Sequence, residues 1–258
     1  MPVEIPLLQA DSWSSIPGLI HGFTARAGGV STGALASLNL SFQVDDRPEA
    51  VEQNWSRLRE AVGRRVTFAR MRQVHGTDVA HVSASSDSLP TADALASASP
   101  GVALAVLTAD CVPILLVDPV SRAVAAVHAG WRGSAGRIAA AAVTRLVEDF
   151  AAAPERIRAL LGPSIDECCY EVGSDVVDAF AAVWGRRPRS CSAAGEARAR
   201  LDLRDANAEV LLDAGLADDH IERIGPCTRC RCDEHFSHRG SNGRSGRQAG
   251  FVAIVDGR

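Results

Sequence analysis

Three uninterrupted apolar runs, Val102 to Leu107, Ile114 to Val117 and Ala123 to Val127, follow one another closely along the chain. Each has strand length and none alternates with polar residues, and a strand without a polar face must be covered on both sides. Helices flank these runs. Residues 48 to 62 carry Val51, Trp55, Leu58 and Val62 at helical spacing behind Pro48, and a proline suits the first helical turn. Ser134 to Phe150 places Ile138, Ala142, Leu146 and Phe150 on one stripe; Val172, Val176, Phe180 and Val183 form a second, and Ala206 to Leu216 a further helix. His220 to Ile224 and Phe251 to Val255 read as late strands. Strands and helices mixed throughout, with no low-complexity linker, predict one mixed α/β domain over residues 1–258, and 47% apolar residues suffice for its core.

Between these elements lie three unusual segments: Arg72-Gln73-Val74-His75-Gly76, Thr108-Ala109-Asp110-Cys111-Val112-Pro113 and Ala126-Val127-His128-Ala129-Gly130-Trp131-Arg132-Gly133. Singly, a cysteine at a strand end is an ordinary small hydrophobe and a lone histidine an ordinary structural residue. Together, His75, Cys111 and His128 make a ligand set that suits zinc. Three protein ligands leave the fourth tetrahedral position open, which is what separates a catalytic zinc from a structural one. Cys111 and His128 end neighbouring strands, and their spacing suits a hairpin return. Asp110 is the candidate for proton transfer or for supporting a ligand, with a turn-capping carboxylate as its structural alternative. Cys111 could also act as a nucleophile.

The chain has no lysine, so its 27 basic residues are all arginines. That excludes Schiff-base catalysis and a lysine-dependent phosphate loop. A net charge of −4 and a pI near 6.0 give no footprint for nucleic acid or an anionic membrane. Seven cysteines are an odd number for a disulfide framework. The start Met1-Pro2-Val3-Glu4-Ile5 lacks a basic stretch followed by an apolar run, and no apolar run reaches the ~20 residues that span a bilayer. A cytoplasmic setting with free or metal-bound thiols is expected.

These segments, together with His21-Gly22-Phe23-Thr24-Ala25-Arg26-Ala27-Gly28-Gly29-Val30-Ser31, Ser37-Leu38-Asn39-Leu40, Gly162-Pro163-Ser164-Ile165, Cys168-Cys169-Tyr170-Glu171-Val172-Gly173 and Gly246-Arg247-Gln248-Ala249-Gly250, resemble the laccase-domain, or polyphenol-oxidase-like, family. Its members are also described as zinc-dependent purine nucleoside phosphorylases and, in bacteria, as peptidoglycan editing factors. The resemblance covers nearly the whole chain. It implies two packed mixed β-sheets flanked by helices, and metal ligands at His75, Cys111 and His128. It further implies phosphorolysis of adenosine, inosine, guanosine and methylthioadenosine, with adenosine deamination as a second activity. The chain departs from the family at Phe236-Ser237-His238-Arg239-Gly240, where members often carry two arginines after the serine and aromatic.

Zinc in such a site would lower the pKa of a water to roughly 7 or polarise a phosphate or sugar oxygen. The first chemistry serves deamination at C6 of adenosine and the second serves phosphate attack at the anomeric carbon. Phosphorolysis needs an anion site, which arginine must supply here. Arg26 beside Ser31 in a glycine-rich loop is the first candidate, because such loops make anion nests. Arg72 and Arg132 adjoin the ligand segments, and Asn39 could orient ribose hydroxyls. Each of these has a surface ion pair or turn as its ordinary reading.

Two features fall outside this account. Cys227-Thr228-Arg229-Cys230-Arg231-Cys232 looks like a metal or redox motif, yet a structural site needs a complete ligand set. No second Cys-x-x-Cys exists, and His235 and His238 are the nearby alternatives. Cys168 and Cys169 read as packing residues near the active site. The alternative activities are copper-dependent polyphenol oxidation and a cell-wall precursor quality-control role. Zinc has no redox chemistry, and seven histidines without a His-x-His pair are too few for a multicopper oxidase.

Overall fold

The computed structural model describes residues 5–63, 65–83, 89–193 and 198–256. Residues 1–4, part of the stretch read above for an export signal, lie outside them. In chain order the strands are β1 (Leu7–Leu8), β2 (Leu19–Thr24), β3 (Thr67–Ala69), β4 (Val79–His81), β5 (Ala94–Ser97), β6 (Val102–Thr108), β7 (Val112–Asp118), β8 (Ala123–Ala129), β9 (Arg158–Leu161), β10 (Glu171–Gly173), β11 (Cys191–Ala193), β12 (Arg198–Leu201), β13 (Ile221–Arg223) and β14 (Gln248–Ile254). The helices are α1 (Pro48–Val62), α2 (Trp131–Ala135), α3 (Ile138–Phe150), α4 (Ser174–Trp184) and α5 (Leu203–Asp213).

Two large mixed sheets form, ordered β1-β2-β14-β6-β3 and β13-β9-β7-β8-β5-β4. Side chains alternate across a strand, so each apolar run feeds two cores. From β6 and β14, Leu104, Val106, Val252 and Ile254 meet Leu115, Val117, Val124, Ala126 and Leu160 of the second sheet. The opposite faces carry Ala105 and Phe251 against Trp55 and Leu58 of α1, and Ile114, Leu116, Ala125 and Val127 against Ile138, Ala142 and Leu146 of α3. The result is helix, sheet, sheet and helix in four layers, as the unbroken apolar runs require. Truncating a buried leucine such as Leu104 to alanine in such a core costs about 2–5 kcal/mol.

A third sheet, β10-β12-β11, was not expected; its strands are only three or four residues long. Element boundaries also differ from the sequence reading: the helix expected over Ala206 to Leu216 runs from Leu203 to Asp213. Val172 belongs to β10 rather than to the helix that follows. His220 closes a 3-10 turn before β13. The helix expected over Ser134 to Phe150 is two helices, because Arg137 adopts φ 64° between α2 and α3. Gly136, just before it, leaves no room for a side chain, since a Cβ there would come within 2.6 Å of Thr77.

The site is positioned by the β7–β8 hairpin. Its antiparallel register sets Pro113 opposite His128 and Val112 opposite Ala129, so Cys111, one residue before β7, lies beside the end of β8.

Candidate metal centre

His75, Cys111 and His128 come from three separate places. His75 sits in the loop between β3 and β4, Cys111 follows the β6–β7 turn, and His128 is near the end of β8. Their ligand atoms all lie within 4.8 Å of one another. The two imidazoles meet edge to face, with centroids 4.8 Å apart. His128 is buried, Cys111 half-buried and His75 exposed, so the cluster opens to one side.

Asp93 organises this arrangement. Fully buried at the start of β5, it accepts the amides of Val74, His75 and Gly76 at 3.1, 2.9 and 2.6 Å. Its Oδ1 also lies 2.9 Å from Nδ1 of His128. One carboxylate therefore holds the loop that carries His75 and orients the ring of His128, leaving Nε2 free to face Cys111. Burial alone would raise the Asp93 pKa, but the His128 ring and the loop amides hold it below the usual value. Two non-glycine residues adopt left-handed backbone at the site, His75 at φ 61° and Asp110 at φ 84°. Such conformations cost about 1–3 kcal/mol each and persist where surrounding bonds enforce them.

The donors polarise one another. Burial pushes the Cys111 thiol up, yet His128 and His75 outweigh it and bring it to about 6. Burial pushes His128 down, and Cys111 with Asp93 brings it up to about 9. Each group thus favours the charged form of the other. The thiolate form is the one that ligates metal, and a carboxylate behind a ligating histidine is the usual support of a metal site. The donor set thus fits a divalent ion. Gly130 provides the space, because a Cβ there would approach His75 at 3.0 Å and the Cys111 sulfur at 3.1 Å.

The cluster lines a cavity of about 730 Å³, within the range of small-molecule sites. Arg70, Arg72, Arg132, Arg239 and Arg247 line it together with Asp110, Trp131 and Tyr170. Arg72 donates to Thr91 Oγ1 at 2.9 Å, and Arg132 stacks on Trp131 at 4.1 Å. The Asp110 carboxylate accepts from Thr228 Oγ1 at 2.7 Å and from the amide of Arg239 at 2.6 Å. It ties the β6–β7 turn to the segment 227–239.

Three expected substrate contacts lie elsewhere. Arg26 donates Nε to the Ala36 carbonyl at 2.8 Å and Nη1 to that of Cys232; its guanidinium ties its own loop to the segment 227–239. Ser31 Oγ donates to Asp46 at 2.7 Å and accepts from Asn54. Asn39 is fully buried, donating to Asp46 and accepting from the amides of Ser41 and Arg247. None of the three lines the cavity, although Asn39 positions the backbone of Arg247.

Sequence reasoning assigned no role to Asp93, Arg70, Arg239 or Arg247. The triplet Thr-Ala-Asp, which precedes Cys111 at 108–110, also occurs at 91–93. That repeat was the available signal for Asp93.

The family model for multi-copper polyphenol oxidoreductase laccase matches residues 20–255. The chain belongs to that family. It is 41% identical to a purine nucleoside phosphorylase of Deinococcus radiodurans, over 97% of this chain and 93% of that one. The crystal structure of YlmD from Geobacillus stearothermophilus superposes with a TM-score of 0.89 at 33% identity, covering 97% of this chain and 99% of the other. That of YfiH from Bacillus licheniformis gives 0.89 at 29% identity over 98% and 97%. The family resemblance and its mixed, two-sheet fold are borne out. No helix among the described residues is long and apolar enough to cross a membrane.

Proposed function

We propose that this chain is a purine nucleoside phosphorylase whose metal ligands are His75, Cys111 and His128, with adenosine deamination as a second activity in the same cavity. The observation that carries this reading is an open three-donor cluster facing an arginine-lined cavity. Relatives that match over nearly their whole length, such as the Deinococcus radiodurans protein, bear the name of that enzyme. The proposed cofactor is zinc, which when bound supplies Lewis-acid chemistry to a substrate oxygen.

The chain's own residues do the rest. Arg72, Arg132, Arg239 and Arg247, with Arg70 beside them, offer guanidinium forks for phosphate, a task that falls to arginine in a lysine-free chain. Trp131 and Tyr170 give the cavity flat apolar walls of the kind a purine stacks on. Asp93 fixes the His128 tautomer by accepting from Nδ1. Asp110, held by Thr228 and the Arg239 amide, is the carboxylate nearest the cluster in sequence and the proposed proton carrier or ligand support. The setting we propose is cytoplasmic.

The test is incubation of the metal-verified protein with adenosine, with and without phosphate. Phosphate-dependent release of adenine supports phosphorolysis and inosine supports deamination; neither product would remove both. Two histidines and a cysteine are also donors that copper accepts. Stoichiometric copper with phenol turnover would therefore favour the oxidase reading that the family description names. Full cellular function in a His75→Ala variant without nucleoside turnover would favour a cell-wall quality-control role.

A further inference from the structure

A second cluster lies outside the cavity. The sulfurs of Cys168, Cys169, Cys227 and Cys230 all fall within 4.8 Å of one another. The Cys230 sulfur is 3.6 Å from that of Cys168 and 3.4 Å from that of Cys169. The Cys-x-x-Cys of residues 227–230 therefore does have partners: the adjacent pair that sequence reading took for packing residues. Cys168 is in fact exposed.

We infer that these four cysteines form a second metal site, a structural tetrathiolate centre for zinc or a comparably soft divalent cation. Four sulfurs about 2.3 Å from a central ion in tetrahedral geometry lie about 3.8 Å apart. The recorded separations are of that size. They are far from the ~2.05 Å of a disulfide, and all seven cysteines are free thiols. The ligand types and number are those of a closed structural zinc site, in contrast to the open three-donor cluster in the cavity.

Polar groups surround the sulfurs. The amide of Asp166 points at the Cys227 sulfur from 3.4 Å. A divalent ion with four thiolates keeps net negative charge, and two guanidinium groups sit beside the cluster: Arg229 donates to the Cys169 carbonyl and Arg200 to the Cys168 carbonyl, each at 3.3 Å. The backbone is already braced for ligation. Ser164 and Cys227 pair in a parallel bridge, Thr228 donates its amide to the Ser164 carbonyl at 2.9 Å, and the amide of Arg231 returns to the Cys227 carbonyl at 3.0 Å. Ligation releases the four thiol protons to solvent.

The centre joins two parts of the chain that frame the cavity. One is the segment 164–170, ending at Tyr170. The other is the segment 227–239, which supplies Thr228 Oγ1 and the Arg239 amide to the Asp110 carboxylate. An ion at the four sulfurs staples these segments from outside the cavity and fixes Asp110 beside Cys111. Its existence is read in metal content, so it stands apart from the nucleoside reading.

The experiment compares metal per chain, by elemental analysis of reduced protein purified without chelator, in the parent and in a Cys168→Ser/Cys230→Ser variant. The expected result is one ion fewer per chain in the variant. A His75→Ala/Cys111→Ser variant keeps the second cluster intact and covers the case in which the cysteine variant does not fold. Titrated with cobalt, it is expected to bind one equivalent and to develop the intense thiolate-to-cobalt charge-transfer and visible bands of a tetrathiolate. Equal metal content in parent and cysteine variant would overturn the inference. So would a cobalt titration without those bands, or an intact mass two hydrogens lighter with the Cys169 and Cys230 peptides linked.

Discussion

Asp93 Oδ1 and His128 Nδ1 lie 2.9 Å apart with both side chains out of solvent, while the same carboxylate receives three amides from the loop that carries His75. The two proposed imidazole ligands are thus set by one side chain. Asp93→Asn keeps the shape but removes the charge and offers the loop a weaker acceptor. Metal affinity is expected to fall about 10–100-fold, the usual loss when a histidine ligand's carboxylate partner is removed. Competition with a chromophoric chelator measures it. An affinity within twofold of the parent would show that the pair does not support the ligand.

Gly130→Ala tests the packing of the same cluster. The backbone there, φ −76° and ψ 170°, is open to any residue, so the substitution carries no conformational strain. The added methyl presses on His75 and Cys111 at 3.0 and 3.1 Å. A displacement of ligands by a few tenths of an ångström is expected to lower turnover about tenfold, short of the ~100-fold loss of a 1 Å misplacement, while the melting temperature moves by only a few degrees. Unchanged turnover would mean that the ligands yield without cost.

The contrast between His75, Cys111 and His128 on one side and Arg26 on the other shows where sequence is informative. The three donors stood out because each occupies a strand end or a glycine-flanked loop, where a reactive side chain has no packing task. The sheet order was not legible, because pairings such as β14 with β2 and β6 join distant segments. Asp93 escaped notice because a buried carboxylate at a strand start looks like a turn cap until its partners are known. Arg26 sits in a loop with the composition of an anion nest, but its fork met carbonyls close in space before it met a cavity. Cys168 and Cys169 lie far along the chain from Cys227 and Cys230. Folding alone brings the four sulfurs together.

Arg247 and Arg26 should separate in kinetics. Arg247 lines the cavity, and burial lowers its guanidinium pKa against the opposing pull of Cys111 and Asp110. A charge-assisted bond from it to phosphate contributes about 1.5–3 kcal/mol, so Arg247→Ala is expected to raise the KM for phosphate roughly tenfold or more. Arg26→Ala is expected to leave that KM within about twofold and to lower thermal stability instead, since its guanidinium holds the Ala36 and Cys232 carbonyls. Steady-state phosphorolysis at saturating nucleoside, with parallel melts, checks both. The reverse pattern would return the anion site to the glycine-rich loop.

Acid sensitivity should trace to Asp118, at the end of β7. Its side chain is fully buried, accepts the amides of Val120 and Ala153 at 2.9 and 3.2 Å, and pairs with Arg156 at 2.9 Å. Burial would raise its pKa, but the Arg156 guanidinium and the two amides outweigh it and hold the carboxyl below its usual value. A carboxylate with a depressed folded pKa stabilises the native state in full above its unfolded pKa of about 3.9. Between that value and the folded one the unfolded chain binds the extra proton, so stability falls as pH drops. Denaturant melts from pH 6 to pH 2.5 are expected to show a steeper loss below about pH 4 in the parent than in Asp118→Asn, which is less stable at neutral pH but no longer titrates there. Parallel curves for the two proteins would place the acid-sensitive group elsewhere, and Arg156→Ala, which leaves Asp118 buried with amides alone and so raises its folded pKa toward the unfolded one, should lower neutral-pH stability and make the decline below about pH 4 shallower than the parent's.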